Sequence, residues 1–146
     1  MISLKKVDEY NYAKLIRLEV APEQRNYVTS NAFSLAQAYV MPECRPVGIY
    51  SGLTPVGFAM YALDREDGEY WIYRLMIDAR YQRRGYGREA MQMLIGRIKA
   101  EAPERTVLYI SFEPENEGAR RLYTSLGFVA DGRIVDGEEV YCLKLQ

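Results

Sequence analysis

Near Gly85 the hydrophobic period of this chain changes from that of a strand to that of a helix, and this switch restricts the fold more than any other feature. Tyr70 to Ile77 is a run of aromatic and branched residues, which reads as a strand. Beyond Gly85, the residues Ala90, Met91, Leu94, Ile95 and Ile98 recur at helical spacing until Pro103 stops them. A loop containing Gly85 and Gly87 joins the two. A helix that starts on such a loop has unpaired N–H groups and a positive dipole end, and glycine lets the backbone approach a phosphate closely. Arg83, Arg84 and Arg88 bring positive charge to the same place, so the segment is physically a pyrophosphate cradle. A tight turn before a surface helix with solvated arginines is the plainer alternative.

The flanking sequence completes a mixed sheet. Ile2 to Val7 is expected as a first strand, and Asp8 as the cap of a helix carrying Tyr12, Leu15, Ile16 and Leu18. Pro22 ends or redirects that helix, and a second is expected from Ser34 to Val40, capped by Ser34. Val47–Tyr50 and Val56–Leu63 flank a turn at Ser51–Thr54. After the long helix, Thr106–Phe112 reads as a strand and Asn116–Leu126 as a short helix stopped by Gly127. Phe128–Val135 and Glu138–Leu145 form a hairpin across Asp136-Gly137. The result is an α/β chain: a mixed, mostly antiparallel central sheet of about seven strands flanked by about four helices, not doubly wound. One domain over residues 1–146 suits this length.

Composition narrows the chemistry. There is no histidine, which excludes Ser-His-Asp and Cys-His sites and every histidine-ligated metal. Cys44 and Cys142 fit no metal spacing, so no metal is expected. Nineteen basic and twenty acidic residues balance to −1, against a nucleic-acid or anionic-membrane partner. Val56–Leu63, the longest apolar stretch, is far short of a membrane span, and Met1–Lys6 lacks the apolar region of a secretory signal. A cytoplasmic location is the expectation. The P-loop is excluded because its Lys-Ser/Thr pair is missing, and the dinucleotide fingerprint because it needs a further glycine.

The segment Gln82-Arg83-Arg84-Gly85-Tyr86-Gly87 resembles the acetyl-CoA-binding motif of the GNAT superfamily of N-acetyltransferases, Gln/Arg-x-x-Gly-x-Gly/Ala after a buried strand. A second block, Asn116 to Phe128 with Tyr123 and Gly127-Phe128, resembles the family pattern of Asn, short helix, Tyr and Gly-Phe. The order of elements matches over essentially the whole chain. Pro46–Tyr50 with Val56–Tyr61 looks most like the bacterial spermine/spermidine (diamine) acetyltransferases. The resemblance implies direct attack of an amine on the acetyl-CoA thioester in a ternary complex.

It also implies roles. Backbone groups of Leu75, Met76 and Ile77, on a bulged strand splayed from its neighbour, hold the pantetheine, and an N–H near Met76 or Ile77 stabilises the oxyanion. The loop Arg83, Arg84, Gly85, Tyr86, Gly87 and Arg88 takes the phosphates. Asn116 bonds the pantetheine or, as the local alternative, caps its helix. Tyr123 matches the family's general acid, against the alternative of a core tyrosine in a chain with thirteen of them. The position of an acidic residue in polyamine enzymes falls here on Tyr73, a poor base at neutral pH. Ordered water, Glu113 or a residue of the N-terminal helices is left to deprotonate the amine. Glu19, Glu23 and Tyr27, with Glu43 and Trp71 nearby, are candidates for the acceptor wall. A polyamine is the expected acceptor, with an amino acid, an aminoglycoside or a protein N-terminus as alternatives, and a non-catalytic acyl-CoA-binding domain as the other class. The family resemblance also implies a homodimer, with Tyr141, Leu143 and Leu145 either at its interface or in the core.

Overall fold

In a computed structural model describing residues 1–146, seven strands form one sheet in the order β1-β2-β3-β4-β5-β7-β6. The strands are β1 (Ile2–Lys6), β2 (Cys44–Ser51), β3 (Thr54–Leu63), β4 (Tyr70–Ile77), β5 (Val107–Phe112), β6 (Val129–Val135) and β7 (Glu138–Lys144). The helices are α1 (Tyr12–Ile16), α2 (Asn31–Val40), α3 (Tyr86–Glu101) and α4 (Glu117–Ser125). Every pairing is antiparallel except β4 with β5, which α3 connects as a crossover. No helix is long and apolar enough to cross a membrane.

Two cores lie on opposite faces. On one, α3 buries Ala90, Met91, Leu94 and Ile98 against Val47, Ile49, Ile72, Leu108 and Ile110. On the other, α1 and α2 cover a smaller cluster of Leu15, Leu18, Phe58, Met60 and Met76. Tyr141 and Leu145 are buried in the larger core and Leu143 packs against it, which assigns all three to packing within the chain. Burying each large aliphatic chain contributes about 1.5–3 kcal/mol, and so α3 is the best-anchored helix.

Two expected helix starts need correction. Ser30, not Ser34, caps α2, accepting from the Phe33 N–H at 3.1 Å. Ser34 is buried one turn inside and returns its hydroxyl proton to the Ser30 carbonyl. Asp8 caps no helix directly. It accepts from the N–H groups of Tyr10 and Asn11 in the preceding turn, and α1 starts only at Tyr12. The hairpin turn is as expected: Asp136 and Gly137 both have positive φ, which matches the twist of β6 and β7.

Candidate active site

The site begins with a fault in β4. Met60 pairs with Arg74 but Tyr61 pairs with Ile72, so Tyr73 is an extra residue and β4 is bulged there. The faces confirm it. Ile72, Leu75 and Ile77 all pack into the α3/α4 core, while Tyr73 and Met76 pack on the α1/α2 side. An uninterrupted strand cannot place residues 72 and 75 on one face.

The pairing of β4 with β5 covers only Tyr70–Ile72 against Leu108–Ile110. Past the bulge the strands part, and alternate backbone groups of Tyr73 to Ile77 face a gap with no strand across it. On its other edge β4 is pressed hard against β3: a Cβ at Gly57 would run into the carbonyl oxygen of Met76.

A cleft of about 500 Å³ follows the gap. Leu75, Met76 and Ile77 line one side, and Asn116, Gly118, Ala119, Leu122 and Tyr123 of α4 and its cap line the other. Arg83, Gly85, Tyr86, Gly87 and Arg88 close one end, joined there by Arg121. Arg83 has φ 64° and Gly85 φ 81°, a left-handed path that turns the loop back under the first turn of α3. A side chain at Gly85 would be strained there. Arg84 is the exception in this loop. It lies outside the cleft lining, over the Tyr81 ring and near the Arg80 carbonyl.

Gln82, the first residue of the motif but given no role from the sequence, and Asp78, which the sequence did not single out, hold this end together. The Gln82 amide donates to the Ile77 carbonyl at 2.9 Å and to Gln24 Oε1 at 2.8 Å, tying the loop to the end of β4 and to the N-terminal segment. Asp78 is buried and accepts from the Glu19 N–H at 3.0 Å and from Arg80. The Arg80 guanidinium and these two N–H groups hold its carboxyl below the usual range despite burial. The only advance signal was a polar residue just past a buried strand.

Tyr123 lies between this cleft and a second, smaller cavity of about 120 Å³. It packs against Phe112 and Phe128, and burial alone pushes its phenol above the ordinary range. No protein group bonds its hydroxyl, so the proton is retained and unengaged. Asn116 caps α4 with its Oδ1, accepting from the Ala119 N–H at 3.1 Å, which leaves its amide N–H groups for a ligand.

The acceptor-wall candidates are scattered. Tyr27 lines both cavities. Tyr73 lines the smaller one, but its hydroxyl donates to Asp64 Oδ2 at 2.6 Å and its phenol is pushed up by burial and that carboxylate. Glu19 borders a separate recess of about 330 Å³ beside Arg25. Glu23 is exposed and lines none of these spaces, and Glu43 is paired with Arg65. Trp71 stacks on Tyr109 under Arg133, away from the cleft.

With this geometry in place, the sequence matches one family. Residues 26–128 fit the model of the Acetyltransferase (GNAT) family. The chain belongs to the GNAT acetyltransferases. It is therefore an acyltransferase. It is 34% identical, over 99% of both chains, to the spermine/spermidine N(1)-acetyltransferase of Bacillus subtilis. The GNAT fold likeness extends to distant structures. Spermidine N-acetyltransferase of Vibrio cholerae, solved with CoA and spermine, superposes with a TM-score of 0.75 at 14% identity, over 99% of this chain and 95% of that one. The ribosomal-protein-S18-alanine N-acetyltransferase of Escherichia coli reaches 0.73 at 16% identity, over 100% and 95%. A polyamine enzyme and a protein-modifying enzyme thus fit equally well, so the fold does not select the acceptor.

Proposed function

We propose that this chain moves an acetyl group from acetyl-CoA to a primary amine of a small molecule, with a polyamine such as spermidine as the acceptor. The observation that carries the transfer is the gap between β4 and β5, with an anion-accepting helix start at one end and an unengaged phenol within it. Full-length identity to a spermine/spermidine enzyme supports the polyamine.

The chain's own groups suit the cofactor. The free edge of Leu75–Ile77 offers sheet-like partners to an amide-bearing arm, and Asn116 adds its side-chain amide. The first N–H groups of α3, with Arg83 and Arg88, face the end where phosphates would lie. Bound acetyl-CoA supplies an activated acyl carbon. The backbone N–H of Ile77, on the edge of β4 that faces the gap, stabilises the negative charge that develops on the acyl oxygen, whereas the Met76 backbone is turned to β3. Once the acceptor ammonium has given one proton to water, its nitrogen bonds to the acyl carbon as the C–S bond breaks. Tyr123, which keeps its proton in the buried site, gives it to the departing sulfur and regains one through water from the acylated nitrogen. Tyr73, bound to Asp64, takes no part in proton removal.

The test is thiol release from acetyl-CoA against spermine, spermidine, putrescine, amino acids and an aminoglycoside. The expected result is turnover with spermine or spermidine, and a loss of about 100-fold or more in kcat for Tyr123→Phe. The melting temperature of that variant should hold, because it loses no hydrogen bond. Turnover only with another amine discards the polyamine. Undiminished turnover in Tyr123→Phe removes the phenol from the mechanism.

A further inference from the structure

On the α1/α2 face, the opening between β4 and β5 is bordered by a single carboxylate. Ser111 pairs with Val140 across β5 and β7, so Ser111, Val140 and Glu138 share that face, while Phe112, Glu139 and Tyr141 turn to the other. Ser111 and Glu138 line the 120 Å³ cavity that reaches Tyr123 through the gap. The Ser111 hydroxyl donates to Glu138 Oε1 at 2.7 Å, which fixes the carboxylate and leaves Oε2 without a protein partner.

None of the other polar groups bordering this cavity is a carboxylate, although Asn116 keeps its amide N–H groups free and Arg74 keeps a buried Nε without a partner. Arg74 stands on the same side of β4, but its guanidinium donates to Gln37 Oε1 at 2.9 Å and to the Tyr73 carbonyl at 3.0 Å. The Tyr73 hydroxyl is held by Asp64. Glu139, behind the sheet, is paired with Arg120. The space is also narrow. Pockets that hold drug-sized ligands run to about 300–1,000 Å³. A cavity of about 120 Å³ is small beside these and suits the end of a thin chain.

Resting on the acetyl-transfer reading above, we propose that Glu138, positioned by Ser111, receives the ammonium of an unbranched aminoalkyl acceptor and sets the enzyme's preference for that class. Glu138 meets the nitrogen on one face of the sheet while Tyr123 serves the sulfur from the other. Ser111 acts through Glu138 and is a positioning residue.

The test measures KM for spermidine and for acetyl-CoA separately, with the thermal shift produced by CoA, in wild type, Glu138→Gln, Glu138→Asp and Ser111→Ala. A charge-assisted contact of this kind predicts a rise of about 10–100-fold in the spermidine KM of Glu138→Gln. The acetyl-CoA KM and the CoA-induced shift should stay at wild-type values. Glu138→Asp should recover part of the loss, and Ser111→Ala should raise the amine KM severalfold. A merely structural role would move both KM values and the melting temperature together, and that result overturns the assignment. So does a wild-type amine KM in Glu138→Gln, or, should that variant fail to fold, in both other variants. In either case wild-type turnover leaves the transfer reading intact. Wild type inert toward every amine overturns that reading and the assignment with it.

Discussion

The two faces of the sheet are built differently. The α3/α4 face rests on eighteen buried residues and a sixteen-residue helix, and what it offers a ligand is mostly backbone: strand edge, helix start and left-handed loop. The α1/α2 face rests on eight buried residues under a five-residue and a ten-residue helix, and what it offers is side chains. Backbone geometry is insensitive to most substitutions, whereas a side-chain wall changes with each one. On the proposed function, the larger core would fix the part of the site that handles a constant cofactor, and the α1/α2 face the part that chooses an acceptor.

The sharpest way to break this contrast is to disturb the strand pair both faces share. Gly57→Ala should cost about 3 kcal/mol, because its Cβ meets the Met76 backbone oxygen, which has no rotamer to escape by. Denaturant unfolding measures the loss, and CoA binding should weaken with it. A substitution that leaves stability unchanged would show that β4 can slide and that the gap is not rigid.

Asp78→Asn should loosen the end of β4 and the N-terminal segment tied to it, where the carboxylate holds the Glu19 N–H and Arg80. The expected cost is about 2 kcal/mol for hydrogen bonds to a buried charge. The amine KM should rise, and the CoA-induced thermal shift should shrink less than in Gly57→Ala. The pH dependence has a definite sign. The folded-state pKa of Asp78 lies below the unfolded value of about 3.9, so its contribution is complete above that pH and is lost as pH falls through the folded value. The variant's stability curve should therefore be flatter on the acid side than that of wild type. Last, Ser30→Ala should cost about 1 kcal/mol by removing the cap of α2, and Ser34→Ala should not reproduce a cap effect.

The same contrast explains what the sequence revealed. The strand, loop and helix from Tyr70 to Glu101 were legible because apolar period, glycines and Pro103 agree there. The α1–α2 region was read less well because its polar residues are inside. Asn31 is buried with its amide donating to the Leu15 carbonyl, and Ser34 is buried beneath Ser30, so neither looks like a helix residue by pattern. Tyr123 and Asn116 stood out through the resemblance of their block to the family pattern. Glu138 and Asp78 did not, and Gln82 was visible only as a motif position without a role, because their partners depend on strand register and lie up to 59 positions away.

The short joint between β4 and β5 has one more consequence, for assembly of the chain. Four strands on one side and three on the other meet through only three residue pairs, and the connection that brings them together runs through the whole of α3. Local hairpins can zip early at little loop-closure cost, while this parallel seam must wait for the crossover helix to dock. The molecule is thus two small sheets hinged late in folding, and a ligand lying in the seam acts as a stitch between halves that the polypeptide itself leaves only partly sewn.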